Sequence, residues 1–219
     1  MTSTMSSIFV SLLQINFPMQ QKIIFATNNP HKLKEIQSLL GDHFRLLSLK
    51  DIGFSGDIPE TQPTLEGNAS QKAHFIFQRF NQPCFADDTG LEVEVLHNEP
   101  GVFSARYAGS LEVFGTEEKR TEANMQKLLH LLEGQSNRKA RFRTVIAYRD
   151  GTAEFLFEGM VEGTIATHKK GTAGFGYDPL FIPEGYATSF AEMPLSEKNL
   201  VSHRARAFSN FVAHMQAKK

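Results

Sequence analysis

The sequence predicts an α/β fold built on one mixed β-sheet, and three observations carry that prediction. Segments with apolar residues at helical spacing alternate with short apolar runs suited to buried strands, the order expected of crossover units in a partly parallel sheet. Two long strand-like runs meet at Asp150-Gly151, a dipeptide that favours a tight hairpin, so part of the sheet is antiparallel. The chain has 219 residues, 41% of them apolar. A chain of that size buries about 70% of its unfolded surface in one core without disulfide or metal staples.

The elements follow in order along the chain. Residues 1–20 hold a short apolar patch, Ile8 to Leu13, without the basic segment or small-residue cleavage site of a secretory leader. Met19 would serve as an initiator just before the first strand. Residues 1–20 therefore read as an N-terminal extension, either dispensable or an arm packed on a partner subunit, and residues 21–219 as a single domain. Lys22 to Thr27 is a buried strand. Pro30 to Leu40 is a helix with Pro at its first position and Gly41 at its end. Leu65, Ala69, Ala73, Ile76 and Phe80 recur at helical spacing and give a second helix over Thr64 to Phe80. Pro83 opens a short strand, Cys84 to Ala86, which ends in an acidic turn, Asp87-Asp88-Thr89-Gly90. Leu91 to Leu96 then alternates apolar and acidic residues. Glu117 to Leu132 is a third helix, and Ala140 to Tyr148 and Ala153 to Ile165 are the hairpin strands. The last helix starts at Ser202, a good N-cap, and buries Ala205, Phe208, Val212 and Met215.

Composition removes several classes of function. Lys and Arg number 23 against 24 Asp and Glu, a net charge of −1, which argues against a dedicated nucleic-acid or membrane-surface protein but not against a small anionic ligand. A lone cysteine, Cys84, forbids an intrachain disulfide framework and suits a reducing, cytoplasmic setting. Cys and His do not cluster at zinc-ligand spacing, so any metal is oxygen-ligated. No apolar run approaches the ~20 residues of a membrane helix.

Three segments carry chemistry. Thr27-Asn28-Asn29-Pro30-His31-Lys32 turns from a strand into a helix start, where free N–H groups make an anion site. His31 and Lys32 stand in the first helical turn, where the macrodipole disfavours cations, and a bound anion would explain them. Ser202-His203-Arg204 repeats the pattern at the last helix, and Lys72 lies at the edge of the second helix's apolar stripe. The plainer reading of each is a capped helix end with solvated basic residues, or a lysine that snorkels to water. Asp87 and Asp88 follow an apolar strand, and successive side chains point to opposite faces, so one faces the cleft and the other supports it from behind. A carboxylate beside a polyphosphate implies Mg²⁺. The adjacent pair counts against a haloacid-dehalogenase-type phosphatase, which needs one residue between its aspartates. Finally, Gly171-Thr172-Ala173-Gly174-Phe175-Gly176-Tyr177-Asp178 is a glycine-rich loop whose Phe175 and Tyr177 offer faces to a nucleobase. Its plainer reading is a tight turn with its aromatics tucked into the core.

These residues resemble the inosine triphosphate pyrophosphatase family of bacterial type, the non-standard purine nucleoside triphosphate pyrophosphatases. The resemblance runs from Lys22 to Met215. It rests on I-I-F-A-T-N-N-P-H-K-L-K-E-I, A-D-D-T-G-L-E-V, P-G-V-F-S-A-R-Y-A-G from Pro100, G-F-G-Y-D-P-L-F from Gly174 and E-K-N-L-V-S-H-R-A-R-A from Glu197. It implies an elongated mixed sheet with flanking helices, two lobes around a deep cleft, and a homodimer. It implies Mg²⁺-dependent hydrolysis of ITP, dITP or XTP to the monophosphate and pyrophosphate, with Asp88 as general base and magnesium ligand. Thr27 to Lys32 (Thr27, Asn28, Asn29, Pro30, His31 and Lys32) then resembles the triphosphate loop, with Thr89 a further substrate contact. Phe175, Gly176, Tyr177 and Asp178 match the base loop, while Lys198, His203 and Arg204 match residues that read the purine's oxo edge. The family usually has Glu where this chain has Gly67, and Glu66 is displaced from that position by about 100° around the helix. Glu60 is the alternative second metal ligand. A non-hydrolytic nucleotide-binding regulator, and a pyrophosphatase for pyrimidine or modified nucleotides, remain the rival readings.

Overall fold

The computed structural model describes residues 21–40, 44–151 and 153–217. The expected N-terminal extension, residues 1–20, and Gly41 as a helix terminus lie outside the described residues.

Strand β1 (Gln21–Phe25) buries Ile23, Ile24 and Phe25 on both faces, as a central parallel strand must. Three polar residues lead into helix α1 (Pro30–Leu39), which starts where Asn29 Oδ1 accepts from the N–H groups of His31 (2.9 Å) and Lys32 (3.2 Å). Strand β2 (Phe44–Leu47) then pairs parallel to β1, with Ile23 opposite Leu46. Helix α2 (Leu65–Phe80) is capped by Thr64 and ends at Asn81 in the left-handed conformation. Strand β3 (Cys84–Val93) joins the sheet parallel to β1 and antiparallel to β5 (Lys139–Asp150). Between them come the short edge strand β4 (Glu99–Gly101), one turn of helix α3 (Leu111–Phe114) and helix α4 (Glu117–Leu131). Strand β6 (Ala153–Ile165) pairs with β5 along its length, Asp150 opposite Ala153, and Gly151 takes φ +62° in the hairpin turn. Strand β7 (Phe181–Pro183) and helices α5 (Leu195–Val201) and α6 (His203–Ala217) complete the chain. The sheet order is β2-β1-β3-β5-β6-β7, with β4 on the free edge of β3.

The acidic segment differs from the expectation. Asp87 to Gly90 is not a turn but the middle of a ten-residue strand, bonded across to β5 from Cys84 through Val93. Two adjacent carboxylates interrupt the apolar pattern and look like a turn in sequence. They are tolerated inside a strand because each has a cationic partner in the fold.

Three apolar clusters divide the molecule. Ile23, Phe25, Ile36, Phe85, Phe208 and Phe211 pack α1 and α6 on one face of the sheet. Ile24, Ala26, Ala69, Ala73, Cys84 and Ala86 pack α2 on the other. The far halves of β5 and β6, with β7 and α4, form a second lobe around Phe142, Leu128, Phe181 and Phe190. Because β1 stops at Phe25 while β3 runs on to Val93, and α1 and α2 pack on opposite faces, the end of β1 beside Asp87 to Gly90 is the position at which α/β sheets form a ligand crevice. Among the described residues no helix is long and apolar enough to cross a membrane.

Candidate active site

The strand alternation separates the two aspartates as expected. Asp87 points toward α1 and α6 and is 1% exposed. Its Oδ1 accepts from Lys32 Nζ at 2.9 Å and its Oδ2 from Arg204 Nε at 3.1 Å. Burial alone would raise this carboxyl, but Lys32, Arg204 and Lys72 outweigh burial and hold it well below the usual carboxylate range. Asp88 points toward α2. Its Oδ2 accepts from Asn68 Nδ2 at 3.1 Å, and its Oδ1 lies 3.3 Å from Lys72 Nζ. Here burial prevails over Lys72 and Lys32, and with Glu60 adding to it the pKa is raised. A carboxylate with an elevated pKa at the crevice is the better proton acceptor of the two.

Behind Asp87 runs a buried chain of charges that joins most of the remaining residues. Arg204 donates to Asp87, to Thr89 Oγ1 (3.1 Å) and, through Nη1, to Glu35. The other oxygen of Glu35 accepts from Lys198 Nζ at 2.8 Å, and Lys198 Nζ lies 2.6 Å from Asp178 Oδ2. Asp178 in turn accepts from the N–H of Phe175 at 2.9 Å, closing the glycine-rich loop. Gly174 is needed there, because a Cβ at its φ of +75° would run into the Asp178 carboxylate. The cations at the helix starts thus face the protein's own carboxylates, Glu35 and Asp87, rather than requiring a bound anion. Burial would raise the Glu35 carboxyl, but Arg204 and Lys198 outweigh burial and lower it.

The glycine-rich loop departs from expectation at Tyr177. That ring is 4% exposed and packs in the second-lobe core, with its hydroxyl donating to the Ser104 carbonyl at 3.1 Å, so it offers no face to a ligand. Phe175 is the aromatic at the crevice. His31 stacks on it at 5.1 Å between centroids, and Lys198 and Arg204 approach its ring at 5.2 and 5.4 Å. The turn after β1 and the glycine-rich loop therefore touch through His31 and Phe175. Gly176 takes φ +62° between the two aromatics. His203 lies against Phe142 (4.6 Å, 16° between planes) and is 3% exposed, and among the described residues its Nδ1 is buried without a hydrogen-bond partner.

Burial, with Arg204 and Lys198 nearby, pulls the His203 pKa well below 6.5, so the imidazole is neutral near neutral pH. The sign of its pH dependence follows. Below pH ~6.5 the unfolded histidine binds a proton that the folded one refuses, so the stability that neutral His203 contributes is present above that pH and is lost as pH falls, by about 1.4 kcal/mol per unit. Urea unfolding at pH 6.5 and 5.5 should show this loss, and His203→Asn should reduce it. An unchanged pH slope in the variant would contradict a neutral buried His203.

Charge counting alters the picture of a cationic cradle. Lys32, Lys72, Lys198 and Arg204 meet Glu35, Glu60, Asp87, Asp88 and Asp178, so the cluster has one negative charge in excess. A polyphosphate gains no net attraction from that set until a dication joins it. The donor set fits such an ion: Glu60 and Asp88 share Lys72 Nζ and present only oxygen ligands. Among the described residues no group of three or more His, Cys, Asp or Glu is arranged to hold a metal. Two carboxylates with the remaining positions left to phosphate and water is the pattern Mg²⁺ prefers. Glu66 takes no part, being paired with Arg143. A Cβ at Gly67 would lie 2.7 Å from Gln62 Cβ, so the segment as folded here has no room for a side chain at that position. A hollow of about 570 Å³, lined by residues including Glu92, Arg141, Glu162 and Tyr186, lies away from this chemistry.

Sequence reading missed Glu35, Asn68 and Thr144. Thr144 is fully buried on β5, opposite Thr89, with the two hydroxyls 2.7 Å apart. Glu35 gave one signal, a carboxylate beside the buried Ile36 on the inner face of α1. Its partners stand 163 and 169 residues away.

The chain is similar to known proteins in both sequence and fold. A model of the Ham1 family matches residues 23–214. The chain is 54% identical over 188 residues to the dITP/XTP pyrophosphatase of Porphyromonas gingivalis, covering 85% of this chain and 93% of that protein. It is 47% identical over 198 residues to the dITP/XTP pyrophosphatase of Flavobacterium johnsoniae, covering 90% and 100%. Among solved structures it is similar to the Ham1 protein of Staphylococcus aureus, with a TM-score of 0.79 and 34% identity over 91% of this chain and 100% of that one. A nucleoside-triphosphatase / dITP/XTP pyrophosphatase from Mycobacterium abscessus superposes with a TM-score of 0.68 at 36% identity, covering 87% and 98%.

Proposed function

The chain belongs to the Ham1 family, and on that premise we propose that its crevice hydrolyses the deaminated purine nucleotides dITP, XTP and ITP to the nucleoside monophosphate and pyrophosphate. It is a nucleoside triphosphate pyrophosphatase, a hydrolase acting on an acid anhydride. The observation that carries the mechanism is Asp88, a buried carboxylate of raised pKa that Lys72 approaches at 3.3 Å, beside the polar turn at the end of β1.

The turn from Thr27 to Lys32 receives the triphosphate. It is preformed: Thr27 Oγ1 accepts from the Asn29 N–H at 3.2 Å, and Asn28 Nδ2 donates to the Gly56 carbonyl at 3.2 Å. Asp88 accepts the proton of the attacking water, whose oxygen bonds the α-phosphorus as the bond to the bridging oxygen breaks and pyrophosphate departs. Lys32 and Lys72 stabilise the charge that develops on the leaving group. Mg²⁺ held by Asp88 and Glu60 would neutralise phosphate charge and polarise the phosphoryl oxygens. Asn68 orients Asp88 from behind, and Thr89 supports Arg204.

At the other end of the crevice Phe175 supplies the base platform, reached by rotation of His31. Lys198, His203 and Arg204 hold the purine edge: Lys198 has an N–H beyond its two carboxylate partners, and His203 has the unpartnered ring nitrogen. Donors that meet a 6-oxo group are left facing an amino group when adenine enters, and each unpaired buried donor costs about 1 to 3 kcal/mol. Asp178 and Gly176 shape the loop. The enzyme acts as a homodimer on the cytoplasmic nucleotide pool.

Purified protein with Mg²⁺ should therefore liberate pyrophosphate from dITP and XTP with a kcat/KM about a hundred-fold above that for dATP, and should lose this activity when EDTA removes the metal. Tight nucleotide binding without turnover would support a regulatory protein instead, and preference for pyrimidine nucleotides would overturn the purine-edge reading.

A further inference from the structure

Gly159 lies in the middle of β6, where glycine weakens a strand and commonly marks the close approach of another backbone. Here the approaching backbone is the first turn of α6. A Cβ on Gly159 would fall inside the van der Waals shells of the His203 carbonyl oxygen and the Ala207 amide nitrogen. The helix is tied down on both sides of that point: Arg206 Nη1 donates to the Met160 carbonyl at 2.8 Å, and Asn210 Nδ2 donates to the Glu158 carbonyl at 2.9 Å. Gly159 also completes a row across three strands, opposite Thr144, which is itself opposite Thr89. Thr89 accepts from Arg204 on the same helix turn. The depth of α6 over this row therefore sets where His203 and Arg204 stand in the crevice.

We propose that Gly159 is a positioning residue for nucleobase recognition, and that the absence of a side chain there seats α6 at the depth from which His203 and Arg204 meet the substrate. The proposal rests on the functional reading above. Any side chain lifts the helix start away from the sheet, and displacement of about 1 Å at a recognition group is worth up to about a hundred-fold in rate or binding. The backbone of α6 moves while Asp88, Lys72 and Glu60 on the other face of the sheet stay in place. The loss therefore falls on KM and on selectivity rather than on kcat.

Gly163, four residues along the same strand, provides a matched control. The three atoms nearest a Cβ there all belong to β7, the Ile182 carbonyl oxygen, the Phe181 ring and Pro183 Cα, and none to α6. Gly159→Ala and Gly163→Ala should both lower the melting temperature. Only Gly159→Ala should raise KM for dITP about ten-fold or more with kcat within about three-fold, and reduce the dITP-over-dATP preference by a similar factor. Equal kinetics in the two variants would overturn the proposal. If Gly159→Ala fails to fold, Arg206→Ala/Asn210→Ala decides. It frees α6 from the β6 carbonyls without adding an atom, and its KM should rise several-fold, an unchanged value overturning the proposal. A wild type that does not hydrolyse dITP would refute the functional reading itself, so the two failures are distinct.

Discussion

Asp88→Asn is expected to reduce pyrophosphate release from dITP on the order of 10³-fold, with a melting temperature within a few degrees of the wild type. The carboxamide keeps the shape of the side chain and can still bond Asn68, but it cannot accept the proton of the attacking water, and a positioned base contributes roughly 10² to 10⁴ in rate. It is also a weaker ligand for a dication. Lys72 keeps Glu60 as its partner, so no buried cation is stranded and the fold is preserved. Asp87→Asn should differ in kind. That carboxylate holds Lys32 and Arg204 and lies away from the reacting water, so its loss acts first on stability. A variant at Asp88 with activity within ten-fold of wild type would remove this residue from the role of base.

Glu35→Ala should be the most destabilising of the single replacements considered. Glu35 bridges Lys198 and Arg204, and all three are buried, at 6%, 3% and 1% exposed. Removing the shared carboxylate leaves two cations short of a partner inside the protein, and breaking a buried pair in this way costs about 3 to 5 kcal/mol. In a chain of this size that corresponds to a fall of about 10 °C in melting temperature. Glu35→Gln keeps the hydrogen-bonding shape and should recover part of the loss. Urea unfolding at pH 7 reads both. A change below about 1 kcal/mol for the alanine variant would show that the chain from Asp178 to Lys32 does not act as one buried network.

The long elements were legible in the sequence because their periodicity survives over many residues. The stripe from Leu65 to Phe80 and the Asp150-Gly151 hairpin appear where the pattern places them. Strands β2, β4 and β7 span three or four residues each, too short to establish a period in the sequence. The acidic segment looks like a turn in sequence because Asp87 and Asp88 violate the strand pattern, and only their partners on α1, α2 and α6 stabilise the violation. The motif residues were likewise found, but their pairing was not. Lys32, Lys72, Lys198 and Arg204 look like free cations in one dimension and prove to be matched, because Glu35 and its partners are brought together only by the sheet. Tyr177 shows the opposite error. An aromatic in a glycine-rich loop suggests a stacking face, whereas burial and the Ser104 carbonyl assign it to the core.

The identity of the products from dITP tests the account most directly. Wild-type protein with Mg²⁺ should yield dIMP and pyrophosphate in equal amounts, with no orthophosphate formed before an added pyrophosphatase acts. Release of dIDP and orthophosphate would place the attack at the γ-phosphorus and contradict the assignment of Asp88, Lys32 and Lys72 around the α-phosphorus.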